Sequence, residues 1–267
     1  MGLFDIFRKK KPAAERATRH CFVLCGTAEP GDLSHVDEVV AGVFGHDYSA
    51  DTSNQNIIAV NHGERTVGFL AHMPAPVPNR EAEENAAGNF LWPNGRDEVS
   101  KHRSHVIVTS IGGADDLTPV QSALVVSRLA LVALKLFDGI GVYWGNACVS
   151  NSRGVFEDFC ENISEEHVPV PVWLRFQAVR ASDGEIGLYT LGMPQFGLMD
   201  IEVDRCRMDA QALFEYVCNI AHYLIQRGPV IADGNTVGGS ETERILVRHL
   251  PSMIDKGRLV YKIVFEG

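Results

Sequence analysis

The sequence predicts an α+β fold in which long helices pack on a two-lobed mixed sheet. Short apolar runs typical of strands recur along the whole chain, and the two long segments 118–137 and 209–226 are predicted as helices. The chain has 267 residues, of which 45% are hydrophobic, so it can bury a full core. The predicted element order is β-α-β-β, an insertion and β-α-β, followed by β-β-β-α-β-β-β.

The first lobe is predicted to span about residues 19–165, after a tail of residues 1–18. It begins with the strand HCFVLCG, the helix LSHVDEVVAGVF capped by Ser34, and the hairpin NIIAVNHGERTVGFLAHM, which turns at residues 62–64. Four prolines and an acidic patch mark residues 74–101 as a long surface insertion. The strand HVIVTSIGG, a buried crossover helix and the strand GIGVYWG follow, and the two strands can lie parallel in one sheet.

The crossover helix, 118–137, is apolar enough that a membrane span has to be considered. Arg128 and Lys135 would both be costly in hydrocarbon, and short strands bracket the segment. A buried helix of a globular core is therefore the better prediction.

The second lobe is predicted to span about residues 166–267 of the single domain 19–267. Its strands are PVWLRFQAVR, EIGLYTLG and MDIEVDR before helix 209–226, and then PVIADGNTVGG, RILVRHL and RLVYKIVFE. Between the second and third strands, Pro194 removes a ladder donor and so stops the pairing. Gly192 and Gly197 flank this loop, and we predict a positive φ at both.

The charge and the cysteines restrict the class of protein. A net charge of −10 and an isoelectric point near 5.4 argue against a nucleic-acid binder, since contact with phosphates needs a basic face. The six cysteines form no Cys-x-x-Cys pair and lie mostly in apolar runs, so we expect reduced thiols and a cytoplasmic protein.

The N-terminal segment MGLFDIFRKKKP combines an apolar patch with four consecutive cations. This layout is typical of a weak interfacial anchor, which predicts peripheral contact with the inner membrane. A frayed tail that aids solubility is the alternative. The residues predicted to contact the membrane are Leu3, Phe4, Ile6 and Phe7.

Four separated blocks of the sequence agree with one known family. They are HRSHVIVTSIGG, GVYWGNACVSNS, VWLRFQAVRASDGEIGLYTLGMPQFGLMDIEV and VIADGNTVGGSETERI, in this order. From about residue 19 to 266 the chain resembles a bacterial family catalogued as a domain of unknown function, family 4261. The resemblance implies a cytoplasmic bacterial protein, and it brings no catalytic residues to carry over.

Two histidines, His102 and His105, could chelate a zinc or iron ion, because imidazoles three residues apart share one face of a turn. The third ligand would be a carboxylate, either Glu202 or one of the insertion residues Glu81, Glu83 and Glu84. A metal-dependent hydrolase is therefore the alternative function. The competing interpretation is that both histidines are structural and form hydrogen bonds in the core.

The sequence gives weaker support to nucleophilic catalysis and to phosphate binding. Cys148, Ser150 and Ser152 are the candidate nucleophiles, but no Gly-x-Ser-x-Gly elbow is present. The segment DGNTVGGSE, 233–241, lacks the lysine of a phosphate-binding loop, so we predict a glycine-rich hairpin turn there.

These observations favour a non-catalytic protein-binding module over an enzyme, with no cofactor and with another protein as its partner. Combined with the acidic charge, the resemblance suggests an immunity or accessory protein of an interbacterial toxin or secretion system. Asp200 and Glu202 alternate on a strand, and so they should point to one face. The residues predicted to bind the partner are Trp144, Asn146, Gln195, Phe196, Asp200 and Glu202.

Overall fold

The computed structural model describes residues 19–54, 56–111, 117–181, 184–238 and 243–265. Across these residues the chain forms two β-sheets with α-helices packed on them, which confirms the predicted α+β fold.

The first sheet has seven strands and is entirely antiparallel. Its spatial order is β2-β3-β4-β5-β1-β6-β7. The strands are β1 (His20–Cys25), β2 (Tyr48–Asn54), β3 (Ile57–His62), β4 (Arg65–Met73), β5 (Ser104–Ser110), β6 (Gly139–Trp144) and β7 (Val149–Ser152). Because β5 and β6 both pair antiparallel with β1, they run parallel to each other, as predicted.

Two strands of this sheet, β2 and β7, were not predicted. Strand β2 reads YSADTSN and is largely exposed at the sheet edge, so it lacks the apolar alternation that identifies a half-buried strand. Strand β7 is only four residues long and reads VSNS.

The helices are α1 (Val36–Phe44), α2 (Glu81–Ala86), α3 (Gly95–Val99), α4 (Pro119–Leu136), α5 (Arg153–Cys160), α6 (Val170–Trp173) and α7 (Ala210–Arg227). Helix α4 is the predicted crossover helix and begins with a capping box formed by Thr118 and Gln121. In the described part of the chain it is the one helix long and apolar enough to cross a membrane, but 56% of its apolar window is buried inside the protein. It is therefore a core helix.

The predicted cap of α1 was wrong. His35 occupies the N-cap position and makes no side-chain capping bond. Ser34 lies one residue earlier, where its backbone N–H donates to Asp32 Oδ1 in a turn. The side chain of Asp32 thus binds a backbone N–H just before the helix, which favours a turn at this point over a helical conformation.

The predicted surface insertion 74–101 is in fact a second covering layer of the first sheet. Its helices α2 and α3 bury Trp92 and Val99 against Leu24 and Tyr143, which point to this face of the sheet. The indole N–H of Trp92 donates to Glu98 Oε2 at 3.0 Å. Both faces of β1 are consequently buried, which explains why its sequence is almost continuously apolar.

The second sheet has six strands in the order β11-β12-β13-β10-β9-β8. Strands β10 and β13 pair parallel and the other pairs are antiparallel, so this sheet is mixed. The strands are β8 (Arg175–Arg180), β9 (Ile186–Leu191), β10 (Ile201–Cys206), β11 (Thr236–Val237), β12 (Ile245–Pro251) and β13 (Leu259–Val264). Their order along the chain, with α7 after β10, is the predicted one.

One hydrophobic core runs through both sheets. It includes Val23 of the first sheet, Leu129 of α4, Val203 of the second sheet and Leu224 of α7. Trp144 and Trp173 lie where the two parts of the core meet, with ring centroids 6.2 Å apart. The loop after β9 is bound at this junction.

Candidate functional site

The loop after β9 has the predicted form. Gly192 has a φ of 115° and Gly197 a φ of 74°, and between them Met193–Phe196 forms a 3-10 turn. Glycine adopts these positive φ values without the strain that a Cβ would cause. The chain therefore leaves the sheet at Gly192 and re-enters it at β10.

Gln195 in this turn joins the two parts of the core. Its Oε1 accepts a hydrogen bond from the indole N–H of Trp144 at 3.0 Å, and its Nε2 donates to the carbonyl oxygen of Trp173 at 3.0 Å. Its own carbonyl oxygen accepts from the guanidinium of Arg19. Gln195 is 9% exposed, so both ends of its amide are used inside the protein.

Three other predicted binding residues belong to the same junction. Trp144 is fully buried, and Phe196 packs on Trp173 with ring centroids 5.5 Å apart. Oδ1 of Asn146 is enclosed and has no hydrogen-bond partner among the described residues. None of these three side chains lines the cleft of the second sheet, which the remaining predicted residues form.

The remaining pair, Asp200 and Glu202, lines a cleft of about 550 Å³ on the outer face of the second sheet. Ile201 and Val203 alternate with these residues and point into the core, so the two carboxylates share the opposite face, as predicted. The walls of the cleft are the loop after β9 and the hairpin between β12 and β13. The lining residues are Thr190, Leu191, Pro194, Leu198, Met199, Asp200, Glu202, Ser252, Ile254, Asp255, Arg258, Leu259 and Val260.

Asp200 is held by its neighbours through one oxygen. Oδ1 accepts from the backbone N–H of Met193 at 3.1 Å and from the hydroxyl of Thr190 at 3.3 Å. Burial raises the pKa of Asp200 to about 6, although these hydrogen bonds and the charge of Arg258 act in the opposite direction. Asp200 is therefore a carboxylate that titrates near neutral pH.

Glu202 is fixed through both oxygens. Oε1 accepts from the hydroxyl of Ser252 at 2.5 Å, and Oε2 accepts from the N–H of Met253 at 3.0 Å and from Nζ of Lys262 at 2.7 Å. Lys262 also donates to Asp204 Oδ1 at 2.5 Å. Burial lowers the pKa of Lys262, but its hydrogen bonds to the two carboxylates outweigh this effect and raise the pKa above its usual value. Glu202 therefore anchors the hairpin to β10.

The rim of the cleft is apolar and open to solvent. Ile254 is 51% exposed and Leu259 is 55% exposed, and Leu250 and Met253 of the same hairpin are also exposed. Arg258 lies at this rim and pairs with Asp255 at 3.0 Å. The cleft thus combines exposed apolar walls with a floor that carries a carboxylate.

The two histidines of the metal alternative have other partners. Nε2 of His102 accepts from the N–H of Val77 at 2.9 Å, and its Nδ1 donates to the carbonyl oxygen of Val99 at 2.6 Å. Nδ1 of His105 donates to the carbonyl oxygen of Ala75 at 2.7 Å, and burial lowers the pKa of this imidazole. The ring of His102 therefore joins the two ends of the insertion, and the ring of His105 holds the insertion to β5.

The proposed third ligands are engaged elsewhere. Glu202 lies in the second sheet, bound to Lys262, and Oε1 of Glu81 accepts from the hydroxyl of Tyr143 at 2.6 Å. Glu83 is buried, and its Oε2 has no hydrogen-bond partner among the described residues, while Glu84 is exposed on α2. In the part of the chain that the structure describes, no three His, Cys, Asp or Glu side chains are grouped to hold a metal ion.

The candidate nucleophiles also have structural contacts. Ser150 is buried and donates to the carbonyl oxygen of Ala82 at 2.8 Å, and Ser152 caps helix α5. Sγ of Cys148 contacts the carbonyl oxygen of Gly145 at 3.7 Å. All six cysteines are free.

The glycine-rich segment 233–241 is described as far as residue 238. Asp233 accepts from the N–H of His249 at 2.7 Å and from Arg248 Nε at 3.0 Å, and β11 then pairs with β12. This part is a turn leading into a strand, while residues 239–241 lie outside the described residues. The predicted membrane-contact residues of the tail, Leu3, Phe4, Ile6 and Phe7, also lie outside them.

The prediction from sequence missed the hairpin side of the cleft. Lys262, Ser252 and Leu259 are far from Asp200 along the chain, and the parallel pairing of β10 with β13 brings them together. The available signal was Lys262, a charged residue inside the apolar run RLVYKIVFE. A buried lysine needs a carboxylate partner, but its strand pairing was not evident from the sequence.

Comparison with known proteins identifies one family. The model of a family described as "Domain of unknown function (DUF4261)" matches residues 189–264, which confirms the resemblance for this segment. Neither the curated proteins nor the solved structures contain a match to this chain. Every residue that lines the cleft falls inside the matched segment.

Proposed function

We propose that the protein is a non-catalytic, cytoplasmic binding module that recognises a segment of another protein in the cleft of the second sheet. The observation that carries this proposal is the exposed apolar rim, where Ile254 and Leu259 are both more than half exposed beside a cleft of about 550 Å³. Exposed apolar side chains grouped around a concave surface are characteristic of protein contact sites.

The chemistry of the cleft supports binding in preference to catalysis. Both oxygens of Glu202 are used to hold the hairpin, so Glu202 is not available as a second acid or base. The serine and cysteine candidates Cys148, Ser150 and Ser152 do not line the cleft. Among the described residues, Asp200 is the one carboxylate of the lining set without an ion-pair partner, so it is well placed to recognise a ligand.

A more specific form of the proposal is an immunity or accessory protein that covers a partner of a toxin or secretion system. The net charge of −10 supports this form, because an acidic protein attracts a basic partner and accelerates their encounter. The six free thiols support a cytoplasmic location.

The test compares capture of a partner by matched surface variants. Immobilised wild-type protein is incubated with extract of the native host, beside Leu259→Lys and Ile57→Lys. Both residues are exposed aliphatics at the first position of a strand, but Ile57 lies in the first sheet. A charge placed at the rim should remove one specific captured protein, because it must be desolvated on binding.

The Ile57→Lys control should retain that captured protein. Circular dichroism of both variants confirms that each is folded. If the folded Leu259→Lys variant captures the same protein as the wild type, the cleft is not the binding surface and the proposal is wrong.

A further inference from the structure

The charges around the cleft are not balanced. The nearby carboxylates are Asp200, Glu202, Asp204 and Asp255, and the nearby cations are Lys262 and Arg258. The ammonium of Lys262 is shared by Glu202 and Asp204, and Arg258 pairs with Asp255. Asp200 is the carboxylate left without an ion-pair partner among the described residues.

The free atom of Asp200 faces the cleft. Within the described residues, hydrogen bonds reach Oδ1, from Met193 and Thr190, and none reaches Oδ2. Asp200 is nonetheless only 8% exposed, and it lines the cleft. Burial of a carboxylate that has no ion-pair partner is costly, and a cation supplied from outside would offset the cost.

The shape of the cleft favours a cation at the end of an apolar stem. Leu198, Ile254 and Leu259 form apolar walls, and the volume of about 550 Å³ is far more than a single ion fills. Lysine and arginine bury their methylene groups against apolar surface while the charged head makes polar contacts. A side chain of this kind matches both parts of the cleft.

We propose that the partner segment inserts a lysine or arginine side chain into the cleft, with its charged head on Oδ2 of Asp200 and its stem against Leu198, Ile254 and Leu259. This inference rests on the proposed function, because it names the chemistry of the partner at the same cleft. It assigns to Asp200 the role of the specificity-determining residue.

The binding of a cation should depend on pH in a defined direction. A cation binds the ionised form of Asp200, whose pKa is about 6, and the groups facing it are Glu202, Arg258 and the hydroxyl of Thr190. Affinity should therefore rise from about pH 5 to about pH 7 as Asp200 loses its proton. At a pH below 6, binding should be accompanied by release of a proton.

The probes are n-butylammonium and n-butylguanidinium, which mimic the ends of lysine and arginine, and uncharged butyramide is the control. Each is titrated into the full-length protein while the backbone amide resonances of Met193, Asp200 and Leu259 are followed by NMR. We expect saturable shifts with at least one cation, and about tenfold weaker binding in Asp200→Asn. Asp97→Asn, which makes the same change at an exposed position on α3, should bind like the wild type.

Equal shifts with butyramide, equal binding by Asp200→Asn, or no saturable shift with either cation would each overturn the inference. The pH dependence of the wild type gives a second measurement that needs no variant. Partner capture separates the two proposals: if Leu259→Lys loses the partner and folded Asp200→Asn retains it, the cleft binds a protein but not through a basic side chain.

Discussion

At the scale of a single residue, the ionisation of Asp200 makes the stability of the protein depend on pH. Burial raises its pKa from 3.8 in the unfolded chain to about 6 in the folded state. The folded state thus holds the proton more tightly, so this residue costs no stability below about pH 4, and its full cost is present above about pH 6. The sign is opposite to that of a carboxylate fixed in a salt bridge.

We therefore expect Asp200→Asn to stabilise the protein at pH 7 by about 1–3 kcal/mol, because the amide oxygen can still accept from Met193 and carries no charge. The free energy of unfolding is measured in urea from pH 4 to pH 8 for the variant and the wild type. Asp97→Asn should change stability by less than about 0.5 kcal/mol. A loss of stability in Asp200→Asn at pH 7 would contradict this account.

Gln195 is the second residue whose contacts make a quantitative prediction. Gln195→Ala leaves the indole N–H of Trp144 and the carbonyl oxygen of Trp173 buried without partners. The expected loss in the free energy of unfolding is about 2–4 kcal/mol.

Gln211→Ala provides the control for Gln195→Ala, since Gln211 is exposed on α7 and bonds to Glu215. This change should cost less than about 0.5 kcal/mol. If Gln195→Ala were as stable as the wild type, the amide would not tie the two parts of the core together.

At the scale of elements, the two glycines of the loop after β9 differ in the space available for a Cβ. A Cβ on Gly192 would lie 2.7 Å from Cβ of Ala147 and 3.1 Å from Cδ2 of Leu174, and the φ there is also positive. A Cβ on Gly197 would meet nothing within 4 Å, so only the positive φ opposes it. We expect Gly197→Ala to cost about 1–2 kcal/mol and Gly192→Ala to cost at least about 3 kcal/mol.

Urea unfolding of the two glycine variants measures this difference directly. Equal losses of stability would mean that the positive φ alone sets the cost of each substitution. The close contact with Ala147 would then relax without a further loss of stability.

The elements that the sequence predicted well are those with strong local signals. The apolar run of α4, the proline and glycines around residues 192–197, and the apolar strands of the second sheet are all signals within a short stretch of chain. Strand β2 was missed because most of its residues are polar and exposed, so it lacks the apolar alternation of a half-buried strand. The insertion was misjudged because its burial depends on Leu24 and Tyr143, which are distant in sequence.

For the same reason, only part of the candidate site could be predicted from the sequence. The alternation of Asp200 and Glu202 is local, and it correctly placed both on one face. The roles of Trp144 and Gln195 depend on contact between two sheets, and the partner of Glu202 depends on the parallel pairing of β10 with β13. Neither relation follows from spacing along the chain.

At the scale of the whole molecule, the continuous core connects the cleft of the second sheet to the first sheet. The hydrogen bonds of Gln195 join the wall of the cleft to Trp144 of the first sheet, and the ion pair of Glu202 joins the opposite wall to β10. A partner that binds this cleft meets a preformed surface, which reduces the ordering cost of binding.

The tail is predicted to act in attachment and to contribute little to folding. Deletion of residues 1–12 should leave the melting temperature within about 2 °C of the wild type, since a terminal segment with a small apolar patch adds little to a large core. The four cations Arg8, Lys9, Lys10 and Lys11 should each contribute about 1 kcal/mol on an anionic surface. We therefore expect the full chain to sediment with vesicles that contain phosphatidylserine, and the truncated chain to remain in solution.

Vesicles of phosphatidylcholine alone are the control for charge, and replacement of Leu3, Phe4, Ile6 and Phe7 by serine is the control for the apolar patch. If both features act, the full chain should bind weakly to neutral vesicles, and the serine variant should bind less to anionic ones, because the two contributions add in an interfacial anchor. A large drop in melting temperature on truncation would show instead that the tail packs on the body. Equal sedimentation of full and truncated chains would remove the membrane contact from the description of this protein.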